Sequence, residues 1–203
     1  MTTWFTSDTH FGHANVIKYS KRPFASAEEM DAAMIANWNA VVGPQDPVYH
    51  LGDFAWGGTK FAEQIFRKLN GQKFIIWGNH DAAAWGIRKR FAGHWDTKML
   101  QVEGKLLWLA HYAHRVWPQM HYGAIHLYGH SHGALATVMN APCLDVGTDC
   151  WRYRPISLEE VLKATADRPF KPRQTQGETE VDSAIERLPP PLLPHISLEE
   201  ESA

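Results

Sequence analysis

Five short polar motifs stand where apolar runs end: Asp8-Thr9-His10, Gly52-Asp53, Gly78-Asn79-His80-Asp81, His111 and Gly129-His130-Ser131-His132. Carboxylates, a carboxamide and imidazoles are the ligands of hard and borderline divalent cations, and no thiolate is among them. Asp8 and His10, two residues apart, share one face of an extended chain and can grip one ion together. Asp53 follows a glycine that lets the backbone turn tightly, which leaves its carboxylate free to bridge two ions or to cap the next helix. Asn79 suits a hard cation through its side-chain oxygen. His80 with Asp81 reads as a proton donor with an orienting carboxylate, or as a turn with Asn79 left-handed and Asp81 capping a helix. His130 and His132, between glycines, suit two neighbouring ions or one chelate, because burying two unpartnered imidazoles is costly. His111 directly ends its apolar run and is preferred as a ligand over His114, one helical turn on.

The elements that must deliver these groups are legible as well. Residues 3–8 read as a strand, and a short helix is expected near Asn15–Tyr19. Ser26-Ala27-Glu28-Glu29 has the form of a helix start, followed by Met30, Met34, Trp38 and Val41 at helical spacing until Gly43-Pro44. Pro47–Leu51 is a second strand. A helix marked by Phe61, Ile65 and Leu69 closes at Asn70-Gly71, and Phe74–Trp77 is a third strand. Strand, helix, strand with short turns is a parallel βαβ pattern. After a short helix near Ala82–Phe91, Thr97–Val102 and Lys105–Ala110 read as a hairpin about Glu103-Gly104. Short strands are expected around Leu127, Ala134–Met139 and Cys143–Val146, so the second half reads as more antiparallel than the first. Ser157-Leu158-Glu159-Glu160 opens the last helix of a domain spanning residues 1–166. From 167 the composition turns to Pro, Glu, Gln, Arg and Thr, which predicts a mobile or loosely docked tail over 167–203. Ile156-Ser157-Leu158-Glu159-Glu160 recurs as Ile196-Ser197-Leu198-Glu199-Glu200, which reads as chance plus shared helix-start chemistry or as a tail that mimics or swaps with the domain's own helix.

The five blocks, in this order, resemble the calcineurin-like metallophosphoesterase superfamily, and the match spans residues 8 to 132. The stretch Asp145–Asp149, with Pro155–Glu160, resembles the way small bacterial and phage members close. The resemblance implies an α/β fold, a four-layer α/β/β/α sandwich of two mixed sheets flanked by helices. It also implies two divalent metal ions: Asp8, His10 and His132 hold one, Asn79, His111 and His130 hold the other, and Asp53 bridges them. His80 is then the general acid, oriented by Asp81. A metal-bound hydroxide attacks phosphorus, hydrolysing a phosphodiester and also, under one reading, a monoester. Two divalent ions less two carboxylates and a hydroxide leave roughly one positive charge, which suits an anionic phosphate. Ions ~3.5–4 Å apart serve in-line displacement. Mn is the first expectation because the ligands are oxygen-rich, with Fe, Zn and Ni as alternatives.

Other readings follow from the same residues. A phosphomonoesterase or nucleotide phosphatase uses the same centre, and a non-catalytic metal-binding scaffold is the reading that dispenses with chemistry. His13, Asn15, Arg22, His114 and Arg115 are candidate substrate contacts, His50 a support for a ligand, and Trp56, Trp85 and Trp117 candidate stacking surfaces for a nucleotide-derived substrate. His94, His121, His126 and His195 are expected to have no active role.

Bulk properties bound the partners. Over 203 residues the hydrophobic fraction is 44%, the charged fraction 21% and the formal net charge −2, ordinary for a globular chain and without the positive field that drives non-specific nucleic-acid binding. No stretch approaches the ~20 apolar residues of a membrane span, and the chain begins without a basic-then-apolar leader, so no membrane partner and a cytoplasmic location are expected. Cys143 and Cys150 are too few for a disulfide framework and read as reduced thiols.

Overall fold

In the computed structural model, which describes residues 1–135 and 141–168, the chain builds two sheets. The first holds β1 (Trp4–Thr6), β2 (Pro47–His50), β3 (Gln72–Ile76), β4 (Gly93–Trp95) and β9 (Ile156–Ser157), in the order β4-β3-β2-β1-β9. The second holds β5 (Thr97–Val102), β6 (Lys105–Ala110), β7 (Ile125–Tyr128) and β8 (Cys143–Asp145), in chain order. β1 to β4 run parallel, and β9 pairs antiparallel to β1.

Strand alternation sorts the core into layers. Val48 and Ile75 face a layer of helices, where Met30, Met34 and Trp38 of α2 (Ala27–Val41) and Ala62 and Ile65 of α3 (Thr59–Lys68) are buried. Phe5, Tyr49, Leu51 and Ile76 face the other way, onto Leu107, Leu109, Leu127 and Leu144 of the second sheet. Phe5, Tyr49 and Phe74 stack as a ladder across β1, β2 and β3, with ring centroids 5.9 and 4.8 Å apart. Of the three, Phe5 is fully buried, which contributes about 1.5–3 kcal/mol from lost apolar exposure. The outer face of the second sheet is covered by Trp117, Met120 and Ala124, around a 3₁₀ turn at Met120–Tyr122. α5 (Leu158–Thr165) packs against β8 and β9. The result is a four-layer sandwich of two mixed sheets.

Local signals act as their chemistry dictates. Ser26 Oγ accepts the Glu29 N–H at 3.2 Å and starts α2, while Trp38, late in its buried stripe, donates to the Asn70 carbonyl. Ser157 and Glu160 form a reciprocal capping box at α5. α1 (Ala14–Tyr19) and the hairpin of β5 and β6 lie where the sequence predicts them.

Some expectations need correcting, and others fall outside the described residues. The second sheet is not mainly antiparallel: β6, β7 and β8 run parallel, so these successive strands are not partners in tight hairpins. β4 went unread because three residues, Gly-His-Trp, carry no apolar run. Of the strand expected over Ala134–Met139, Ala134 and Leu135 lie in a turn and 136–140 are outside the described residues. So are His195, the second Ile-Ser-Leu-Glu-Glu copy and the tail beyond Arg168.

Candidate metal centre

All five motifs sit at the carboxyl ends of parallel strands, on one rim of the sandwich. Asp8 follows β1, Asp53 follows β2, Asn79 follows β3, His111 follows β6, and His130 and His132 follow β7. Carboxyl-end crevices of this kind are where α/β sheets bind ligands. Two groups of donors converge there closely enough to hold metal ions: Asp8, His10 and His132, and Asp53, His111 and His130. Asp53 reaches both, its Oδ2 lying 3.5 Å from His10 Nε2 and 3.6 Å from His111 Nε2.

The donor chemistry fits cations. His111 Nδ1 lies 2.7 Å from the Leu51 carbonyl, which only accepts, so Nδ1 carries the proton. In the neutral ring, Nε2 then turns a lone pair toward Asn79 Oδ1 at 3.1 Å and Asp53 Oδ2 at 3.6 Å. A cation placed between them would bind all three acceptors at once. His132 repeats the pattern: Nδ1 donates to Asp149 Oδ2 at 2.7 Å, and Nε2 faces Asp8 Oδ1 at 3.9 Å. Fixing one ring nitrogen by a donated bond is how proteins aim the other at a metal. Burial, with His132 beside it, pulls His10 down to about 2, so its ring is neutral and its lone pair available. Burial also pushes the Asp8 carboxyl up to about 7, against the pull of His132 and His111. A bound cation would reverse that cost.

The backbone is bent to this purpose. Asp8, His10, Asp53, His130 and His132 all carry positive φ, between 46° and 65°. Non-glycine residues held there cost on the order of 1–3 kcal/mol each and persist where the surroundings over-determine them. Glycines permit the closest approaches. A Cβ on Gly52 (φ +94°) would stand 2.6 Å from both Gly78 N and His111 Nδ1, and one on Gly129 would overlap Ser7 Oγ and Asp8 Oδ2. The His130 N–H, one residue on, donates to both Asp8 oxygens at 3.0 and 2.9 Å, which ties the end of β7 to the end of β1.

The cleft over the centre has a volume of about 730 Å³. Its floor can be followed ring by ring. Trp56 stacks on His13 at 4.5 Å, His13 meets His10 at 5.4 Å, His10 stacks on His132 at 5.3 Å, and Ser20 Oγ lies 3.1 Å from His132 Nδ1. His80 lines the same cleft, 5.8 Å from His10 and 5.4 Å from Trp56. Tyr19, Lys21, Ser131 and Ala134 line it as well.

Several expected roles are not what the structure shows. Asp81 makes no bond to His80. Its carboxylate accepts the backbone N–H groups of Asp53, Phe54 and Gly78 at 2.7–2.9 Å, because the tight turn after β3 folds it back under the β2 loop. Nor does it cap α4 (Ala82–Trp85) with its side chain. Arg22 does not face a substrate: it is 4% exposed, and its guanidinium is bonded to the Asp8 and Thr9 carbonyls and to Asp149. His114 accepts from Trp108 Nε1 and stacks on His126, away from the cleft, and exposed Arg115 does not line the cleft either. His50 bonds not a ligand but Thr9 Oγ1, between Asp8 and His10. Trp117 is buried and donates to the Ala124 carbonyl, while half-exposed Trp85 packs on Trp77. His13, Asn15 and Trp56 do line the cleft.

Sequence reasoning missed Asp149 and Tyr112. Tyr112 OH donates to Asn79 Oδ1 at 3.3 Å. Asp149 lay in a stretch noted only for its resemblance to family members, and its distance along the chain hid its pairing with His132.

Comparisons with known proteins agree with this geometry. A family model described as calcineurin-like phosphoesterase matches residues 1–134. An uncharacterised protein of Methanocaldococcus jannaschii is 32% identical over 167 residues, covering 79% of this chain and 89% of its own length. The gene 66 protein of Mycobacterium phage L5 is 27% identical over 191 residues, covering 78% and 91%. Among solved structures, an Aquifex aeolicus protein of unknown function is similar at a TM-score of 0.65 and 25% identity, covering 80% of this chain and 98% of its own. With two cation-ready donor groups on the rim and a family model spanning most of the chain, the protein belongs to the calcineurin-like phosphoesterase family.

Proposed function

We propose that the protein is a dinuclear-metal phosphoesterase that hydrolyses phosphodiesters in preference to monoesters, with a nucleotide-derived ester as its substrate. The observation that carries this reading is Asp53 Oδ2, placed within 3.6 Å of a histidine from each donor group. Asp8, His10 and His132 would hold one cation, Asn79, His111 and His130 the other, and Asp53 both. When bound, such a pair supplies Lewis acidity, an activated water and a clamp on the phosphoryl oxygens. Mn²⁺ is the favoured occupant for this mixed imidazole and oxygen set.

The chain's own residues supply the rest. His80 stands exposed in the cleft, and its backbone N–H is fixed by Asp53 Oδ1 at 2.8 Å. It delivers a proton to the departing alkoxide. His13 and Asn15 border the phosphate, and Trp56 offers a planar wall beside His80 for the leaving group. The cleft runs on past His132 to Tyr19, Ser20 and Lys21, where a second substituent of a diester has room. Two free thiols support a reducing, cytoplasmic setting.

The test is chelation followed by reconstitution with Mn²⁺, Fe²⁺, Zn²⁺ or Ni²⁺. Each form is assayed on bis-nitrophenyl phosphate, nitrophenyl phosphate and cyclic nucleotides. The expected result is activity that depends on added metal, greatest with Mn²⁺, and a higher kcat/KM for the diester. Faster monoester turnover would make the protein a phosphomonoesterase, and no turnover by the loaded protein would favour a binding scaffold.

A further inference from the structure

Asp149 enters the site from beyond the family-matched segment, on the 3₁₀ turn Thr148–Cys150 that follows β8. Its two carboxylate oxygens are shared between two partners. Oδ2 accepts from His132 Nδ1 at 2.7 Å and from Arg22 Nη2 at 2.8 Å, and Oδ1 accepts from Arg22 Nε at 2.8 Å. Of its remaining donors, Nη2 bonds the Asp8 carbonyl at 2.7 Å and Nη1 the Thr9 carbonyl at 3.0 Å, on the main chain of the first motif, and Nη1 also donates to Met30 Sδ at 3.4 Å. The arginine side chain is fully buried and that of Asp149 nearly so. One bidentate pair therefore grips His132 through its ring and Asp8 through its backbone, while both residues hold left-handed φ.

We infer that Asp149 and Arg22 are positioning residues for the first cation site, setting its affinity without touching substrate. This rests on the dinuclear reading above. Two physical reasons carry it. A carboxylate on Nδ1 holds the proton there and keeps the Nε2 lone pair facing Asp8; a group that donates to Nδ1 would stabilise the opposite tautomer and put a proton where the cation belongs. The planar fork of Arg22 fixes the carboxylate in two directions, which a lysine ammonium cannot reproduce. Among the described residues no arginine–carboxylate pair grips the second site, where the Leu51 carbonyl holds His111. The effect should thus fall on one site of the two.

The experiment is Mn²⁺ binding to chelated protein, by calorimetry and electron paramagnetic resonance, for wild type, Asp149→Asn, Asp149→Ala and Arg22→Lys. Wild type should bind two ions; failure to do so would sink the dinuclear reading itself. Asp149→Asn and Arg22→Lys should weaken one site about 10- to 100-fold and leave the other within about twofold. Their half-saturating Mn²⁺ for turnover should rise by the same factor, with kcat recovered in excess Mn²⁺. Asp149→Ala should weaken that site at least as much as Asp149→Asn. Unchanged affinities in the folded Asn and Lys variants, or equal weakening of both sites with no recovery in excess Mn²⁺, would overturn the inference. Should Asp149→Ala fail to fold, the Asn and Lys variants alone decide.

Discussion

Asp81 accepts the backbone N–H of Asp53 at 2.9 Å, so one carboxylate places another at the point where the two donor groups meet. It accepts the Phe54 and Gly78 N–H groups as well, which ties the loop after β2 to the loop after β3. Asp81→Asn leaves only one side-chain oxygen for those three donors. Metal affinity and turnover should fall together, by roughly 10–100-fold. The ratio of rates for good and poor leaving groups should stay as in wild type. Selective loss on poor leaving groups would instead return Asp81 to the service of His80.

His80 carries the opposite signature. Removing a proton donor slows a reaction most where the leaving oxygen is basic, and general-acid catalysis contributes about 10²–10⁴-fold. His80→Ala should lose a factor in that range on an alkyl or nucleoside ester and much less on a nitrophenyl diester, with both metals retained. Equal loss on both substrates would contradict the role.

Backbone strain predicts a separation of stability from binding. His130 is exposed and sits at φ 65°, a conformation glycine adopts at little cost. In chelator, His130→Gly should melt no lower than wild type. With Mn²⁺, the rise in Tm that wild type shows should shrink in the variant. A lower Tm in chelator would show that the imidazole, stacked edge-on to His111 and Tyr112, contributes more to the fold than its backbone costs.

His126 gives the fold a pH dependence that is independent of metal. It is fully buried on β7, and burial pulls it down to about 4. Nδ1 donates to the Trp108 carbonyl at 3.1 Å, and Nε2 accepts the His114 N–H at 2.9 Å. Protonating Nε2 would set donor against donor. The folded pKa lies below the unfolded value of 6.5, so the unfolded chain binds more protons between them. Stability is therefore full above about pH 6.5 and lost as the pH falls toward 4, by on the order of 3 kcal/mol. Thermal melts in chelator at pH 7.5, 5.5 and 4.5 should show a steep fall in wild type and a shallower one in His126→Gln. Parallel falls would assign the acid sensitivity to other groups.

Much of the centre was legible because each ligand motif ends an apolar run, and parallel strands bring their carboxyl ends to one rim. The hairpin of β5 and β6, the stripe of Met30, Met34 and Trp38 and the cap at Ser26 were readable from period and turn chemistry alone. The remainder depends on long-range geometry. Asp81 adjoins His80 in sequence yet turns away from it, and Arg22, which reads as a substrate contact, is buried against Asp149 far along the chain. Left-handed φ at Asp8, His10, Asp53, His130 and His132 is uncommon even for Asp and His, the types that tolerate it best after glycine and asparagine, so local propensity does not announce it. β4 and β9 are too short to show a period, and the parallel pairing of β7 and β8 depends on a connection given over to His130 and His132.

The paired-cation centre about Asp53 is tested most directly by anomalous diffraction at the manganese edge, from crystals of chelated protein resupplied with Mn²⁺. Two anomalous peaks are expected, one among Asp8, His10 and His132 and one among Asn79, His111 and His130, with the Asp53 carboxylate within bonding distance of both. A single peak, or peaks that leave Asp53 uncoordinated, would contradict it.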